Sequence, residues 1–208
     1  VCRSMVKTGQ LYGEHFGVPF MTVDIPYKRT PEHRDYMFHQ LQETIPWMEK
    51  ASGRKVDDEK LIKAIWNEWE TNVLWARVCE VNKAVPAPID YRLIMSMQIP
   101  RATLRHKREA VQFYQELYAE LKERVAQGIS ARGFEEARLS QEGIAPFPFI
   151  HILRYPEKFG AVIVAGNMFN TGAWELDEDG TWRPAPSLSE QGRELRTRDD
   201  ALLALADL

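Results

Sequence analysis

Apolar residues recur at helical spacing through most of this chain and give way to short unbroken runs at two places. From Ser4 to Phe16, Met5, Leu11, Tyr12 and Phe16 fall at loosely helical positions, and Gly17 stands where a helix C-terminal glycine belongs. The run from Val18 to Pro26 is short, apolar and carries Pro near its start and at its end. That pattern predicts a strand buried on both faces, over Gly17–Ile25. Helix, glycine and buried strand make half of a parallel α/β unit.

The middle of the chain reads as helix throughout. Thr30-Pro31-Glu32 combines a capping residue with Pro at the first helical position, and Tyr36, Phe38, Leu41 and Ile45 continue that helix towards Pro46 and Gly53. Asp57 and Asp58 open a second helix, on which Leu61, Ile65, Trp69, Val73 and Ala76 form one stripe. Trp66 and Trp75 widen that stripe beyond what a one-sided surface helix needs. They either fill a core or face a partner. After Pro86 and Pro88 a further helix spans about Lys107 to Gln127. No sheet is expected inside 57–127.

Short strands return afterwards. Ala137 to Ser140 suits a short strand, Ile144 to Phe149 a Pro-rich loop, and Phe149 to Phe159 a helix disturbed by Pro156. Ala161 to Ala165 is the clearest strand, β-branched and uncharged, followed by Gly166 and Asn167. Asp177 to Gly180 is a turn, and the tail from Arg198 is helical. These elements predict an α/β fold, with parallel-sheet parts on either side of a long helical region. The expected division is 1–29 for the end of a first lobe, 30–135 for the helices and 136–208 for a truncated second lobe. Val1 is not an initiator Met and the final helix lacks a C-terminal cap, so a piece of a longer protein is expected.

Composition narrows the classes. With 27 Lys and Arg against 30 Asp and Glu, the net charge of −3 gives no electrostatic footprint for nucleic acid. No apolar run is long enough to span a bilayer. Two cysteines in 208 residues make no disulfide framework and too few ligands for most structural zinc sites, which points to a cytoplasmic protein.

Cys2 has the most suggestive local chemistry. It precedes a predicted helix with Arg3 and Lys7 nearby, a setting that favours a thiolate or hydrogen bonds to a metal-bound sulfur. A small residue packed at a strand–helix junction fits the same context. Cys79, between Val78 and Glu80 on a helix face, reads as packing. His33 and His39 are six residues apart, which misses the spacing that aligns two ligands on one helix face, so surface or capping roles are expected. Gly166 and Asn167 stand where open α/β sheets bind ligands. The basic cluster Arg101, Arg105, His106, Lys107 and Arg108 reads as a solvated helix start, or as a surface for an anionic partner or coenzyme phosphates.

Several blocks carry a resemblance. Cys2 to Leu11, Phe16-Gly17-Val18-Pro19, Asp24-Ile25-Pro26, Gly143 to Phe147, Phe159 to Ala165, Trp174-Glu175 and Asp179 to Trp182 follow one another in an order and spacing that resemble the benzoyl-CoA reductase and 2-hydroxyacyl-CoA dehydratase family. The resemblance implies two parallel-sheet, Rossmann-like α/β lobes with a helical insertion. It implies a subunit that pairs with a homologous second subunit and holds an iron–sulfur cluster of the 4Fe–4S type, with Cys2 as one ligand and the other ligands outside this chain. A separate ATP-driven activator would supply low-potential electrons, and the substrate would be a CoA thioester. The tail from Asp179 to Trp182 with Arg196 to Asp200 looks more like the reductase side, which reduces an aromatic CoA thioester. The alternatives are radical dehydration of a 2-hydroxyacyl-CoA, reduction of other small molecules by a double-cubane relative, and a non-catalytic subunit that holds a cluster or a partner.

Overall fold

The structure, a computed structural model, describes residues 3–28, 30–143, 147–166 and 171–208. The chain divides into two compact units, Val1–Ile65 with Leu195–Leu208, and Trp66–Glu194.

The first unit contains α1 (Arg3–Phe16), α2 (Pro31–Ser52), the first residues of α3 (Asp58–Val81) and α7 (Arg198–Asp207), the helices between them in chain order belonging to the second unit. Its helices start where a side chain can satisfy orphan backbone donors. Thr30 caps α2 by accepting from the His33 N–H, and Pro31 fills the first helical position. Asp57 accepts from the Lys60 N–H at the start of α3. α7 begins with a reciprocal capping box, in which Thr197 and Asp200 each accept the other's backbone N–H at 3.1 and 2.8 Å. α7 packs on α2, burying Ala201, Leu202 and Ala204. An Arg34–Asp207 ion pair and a Gln42–Asp199 hydrogen bond of 3.1 Å bridge the two helices.

Gly17 does end α1, with φ 63°. The run that follows it corrects the expectation of a strand over Gly17–Ile25. Residues 18–26 form no regular element, no strand pairs with them among the described residues, and Val18 and Ile25 are 53% and 63% exposed. The apolar run is used differently. Phe20 lies against α1 at Gly9 and Gly13, where a Cβ on Gly13 would come within 3.0 Å of the Phe20 Cβ. The Gln40 side-chain amide then pairs with both the N–H and the carbonyl of Asp24, each at 2.8 Å, in place of a neighbouring strand.

The second unit holds the remainder of α3, then α4 (Tyr91–Met97), α5 (Ile99–Leu104) and α6 (Arg108–Ala126). All the regular structure described between Pro31 and Ala126 is helical, as the 3.6-residue periodicity predicts. β1 (Ala137–Gln141) pairs in parallel with β2 (Ala161–Gly166), with a register shift between Leu139 and Ser140. Two 3₁₀ segments, Phe147–Arg154 and Pro156–Phe159, connect them, and the first is kinked at Phe149. A β3–β4 hairpin (Trp174–Leu176 and Trp182–Pro184) closes around the predicted Asp177–Gly180 turn. The architecture is thus mixed helix with a small parallel sheet.

The core of this unit joins Leu74, Trp75, Val78 and Cys79 of α3 to Tyr91 and Ile94 of α4, Tyr114 and Leu121 of α6, and Ile163 of β2. Trp75 and Tyr114 are fully buried and meet edge to face at 5.5 Å between ring centroids. Trp69 is buried too, and its indole N–H donates to the Pro186 carbonyl at 3.3 Å. These two tryptophans therefore fill this unit's own interior rather than presenting a surface to a partner. Asn82, buried after α3, donates to the Val164 carbonyl and accepts from the Ile89 N–H, which fixes β2 against the helices. No helix among the described residues is long and apolar enough to cross a membrane.

Candidate functional site

The parallel pair points its carboxyl ends at Gln141 and Gly166. Open α/β sheets bind ligands at that edge, because the backbone there turns away and leaves a crevice. The Tyr91 hydroxyl donates to Gln141 Oε1 at 2.9 Å, which ties the start of α4 to the end of β1. Burial raises the Tyr91 phenol above its ordinary pKa, so it stays a donor through the physiological range.

Tyr91 also lines a cavity of about 470 Å³ between α4 and the first 3₁₀ segment. Met95, Ile99 and Leu153 give it an apolar wall, while Arg92, His151 and Arg154 bring positive or ionisable groups to it. A neighbouring cavity of about 660 Å³ shares His151, Arg154 and Glu157 and adds Arg132 and Lys158. Most of the local negative charge is already paired. Arg132 Nη2 lies 2.7 Å from Asp90 and 2.9 Å from Glu157, whereas Arg154 is a looser 3.6 Å from Glu157. Asp90 in turn caps α4 through the Leu93 N–H at 2.9 Å. Arg92 has no ion pair among the described residues. An apolar wall beside two guanidiniums suits a ligand with an apolar body and anionic groups.

The candidates read from the sequence distribute unevenly. Cys2 and Asn167 lie outside the described residues, as do Ile144 to Pro146. Gly166 ends β2 as expected. Cys79 sits in the core, and burial pushes its thiol pKa up to about 12 against the opposing charge of Arg101. It is a poor thiolate and therefore a poor metal ligand. Among the described residues no group of three or more His, Cys, Asp or Glu is arranged to hold a metal ion. His33 takes a capping role, its ring Nδ1 2.9 Å from the Thr30 hydroxyl. His39 is on the surface beside Gln42.

The basic cluster needs one correction. Arg105, His106, Lys107 and Arg108 are exposed as expected, but Arg101 is partly buried and hydrogen-bonded to Asn72 and Thr171. The residues missed by sequence reasoning are Tyr91, Arg92 and Arg154. A sign of the last was visible in His151 and Arg154 interrupting an otherwise apolar stretch.

A family model described as 2-hydroxyglutaryl-CoA dehydratase, D-component, matches residues 1–191. The chain belongs to this family. It is similar to the alpha subunit of (R)-2-hydroxyglutaryl-CoA dehydratase from Acidaminococcus fermentans, 26% identical over 174 residues that cover 81% of this chain and 36% of that protein. The alpha subunit of (R)-phenyllactyl-CoA dehydratase from Clostridium sporogenes is 26% identical over 171 residues, 79% of this chain and 42% of its own length. A benzoyl-CoA reductase subunit from Thauera aromatica is 30% identical over 189 residues, 82% of this chain and 43% of that protein. The chain spans about two-fifths of the length of the curated relatives it matches. Family membership thus joins the dehydratases and the reductase without dividing them.

Proposed function

We propose that this chain is part of an iron–sulfur subunit of a benzoyl-CoA reductase-type enzyme, which reduces an aromatic CoA thioester with electrons from a separate ATP-driven activator. The observation that carries the reading is the 30% identity to the Thauera aromatica benzoyl-CoA reductase chain over 82% of the present one. Radical dehydration of a 2-hydroxyacyl-CoA is the second reading, favoured by the family description itself and by the dehydratase relatives at 26% identity. Both act on a CoA thioester, whose apolar chain and phosphates match the wall and guanidiniums of the 470 Å³ cavity.

In this reading Cys2 is one ligand of a 4Fe–4S cluster, and the electron chemistry is the cluster's own. The chain's residues bind and orient. Arg92 and Arg154 hold anionic groups, Met95, Ile99 and Leu153 exclude water, and the Tyr91 hydroxyl stays protonated beside them. A homologous second subunit completes the enzyme, which works in the cytoplasm, and the segments 1–29 and 136–208 belong to two Rossmann-like lobes around the helical 30–135.

The test is turnover by the full-length protein with its partner subunit, activator and ATP, offered benzoyl-CoA or a 2-hydroxyacyl-CoA. Loss of the benzoyl absorbance supports the reductase. An enoyl-CoA product from the hydroxy substrate alone replaces it with the dehydratase. Consumption of neither leaves the reduction of other small molecules, as by a double-cubane relative, or a non-catalytic subunit.

A further inference from the structure

Four charged side chains stand in a row beside the cavity of α4: Asp90, Arg132, Glu157 and Arg154. Arg132 Nη2 lies 2.7 Å from the Asp90 carboxylate and 2.9 Å from Glu157 Oε2. Arg154 Nε lies 3.6 Å from that same Glu157 oxygen, beyond hydrogen-bond reach. One carboxylate oxygen thus faces two guanidiniums and sides with Arg132.

Solvent separates the two contacts. The side chains of Asp90, Glu157 and Arg132 are 4%, 12% and 23% exposed, whereas that of Arg154 is 52% exposed. Water and salt screen the Arg154 contact more, and a long side chain loses rotamer freedom to keep it. The Arg132 contacts are ionic in character. Its Nη2 meets no acceptor in hydrogen-bond geometry, and its Nε is buried without a partner among the described residues. Charge, rather than direction, holds the row together.

The neighbours of Arg132 in the row are fixed by the backbone. Asp90 caps α4 through the Leu93 N–H at 2.9 Å. The Ala131 N–H donates to the Ala87 carbonyl at 2.8 Å and the Arg132 N–H to Ser130 Oγ at 3.1 Å, which pins the loop that carries Arg132. Glu157 lies in the second 3₁₀ segment, closed by the Gly160 N–H on the Glu157 carbonyl at 3.2 Å. Arg154 ends the first 3₁₀ segment and borders both cavities.

We propose that Arg132 is a positioning residue that holds the Glu157 carboxylate off Arg154 and so keeps the Arg154 guanidinium open to the cavity, a role that rests on the reading of that cavity as a binding site. With Arg132 in place the row has two acids and two bases, and the charge of Glu157 is met without Arg154. Without Arg132, Glu157 is a largely buried carboxylate, and burying an unpaired charge is costly. Arg154, three residues before it, is then the cation at hand among the described residues. Glu157 draws it in and neutralises a cation of the cavity.

The rate at which phenylglyoxal modifies Arg154 in the full-length protein, read by peptide mass spectrometry, reports how far that guanidinium is engaged. Arg132→Gln is expected to slow the modification about threefold, as Glu157 closes on Arg154. Arg132→Gln with Glu157→Gln restores the parent rate, because the competing acid is gone. Arg132→Lys keeps the parent rate, since an ionic contact needs the charge more than the fork. Glu157→Gln alone leaves Arg154 within about a factor of 1.5 of the parent, and this variant decides the matter if Arg132→Gln fails to fold in thermal melting. A merely structural tie predicts the opposite sign, with Arg154 loosened and reacting faster in Arg132→Gln. That result, a parent rate in Arg132→Gln, a double variant that stays slow, or a severalfold rise in Glu157→Gln overturns the proposal. No substrate, partner or activator enters the measurement, so its failure is read apart from failure of the proposed activity.

Discussion

Cys79 and Tyr114 show how one environment sets several properties at once. Both are buried in the core of the second unit, and burial pushes each pKa up to about 12, from ordinary values of 9.0 and 10.0. The unfolded chain therefore releases these protons at lower pH than the folded one. Their stabilising contribution is whole below about pH 9 and lost as pH rises towards 12, at about 1.4 kcal/mol per pH unit for each group that titrates. Denaturant melts between pH 7 and 11 are expected to be flat at first and to fall above pH 9. In Cys79→Ala that fall begins about one unit later. Native Cys79 is also expected to resist alkylation at neutral pH, while the unfolded chain reacts. At Trp75, fully buried against Tyr114, truncation to Ala removes a large side chain from a closed core and costs about 3–5 kcal/mol.

Among the elements, the helices are legible in the sequence because a buried stripe repeats every 3.6 residues and the caps are local. Thr30-Pro31 and Asp57 each mark a helix start that the structure contains, and the Thr197 cap emerges only from the structure. Removing the box at α7 by Thr197→Ala is expected to cost about 1 kcal/mol, read as a lower melting midpoint. The segment after α1 misleads because an apolar run does not say what covers it. Here Gly9 and Gly13 make a flat place on α1 for Phe20, and Gln40 substitutes for a strand. Gly13→Leu is expected to displace Phe20 and expose it to quenchers or proteases while leaving the second unit's melting unchanged. The β3–β4 hairpin is half legible. Its turn carries Asp177 and Gly180, but strands of three residues are too short to show alternation.

At the scale of the molecule, the candidate cavity is invisible in the sequence because it is assembled from residues 91–99 and 151–157, far apart along the chain and brought together only by packing. The family is visible because its blocks keep their order from Cys2 to Trp182, and the match over residues 1–191 agrees with that. The two cysteines separate what the core requires from what is proposed: Cys79 serves packing, and the proposed cluster ligation rests on Cys2. The most direct measurement is the iron content and turnover of the full-length enzyme, with partner and activator, carrying Cys2→Ser or Cys79→Ser. The account predicts that Cys2→Ser loses iron and abolishes consumption of the CoA thioester, while Cys79→Ser retains both. Equal iron in the two variants, or activity that survives Cys2→Ser, would contradict it.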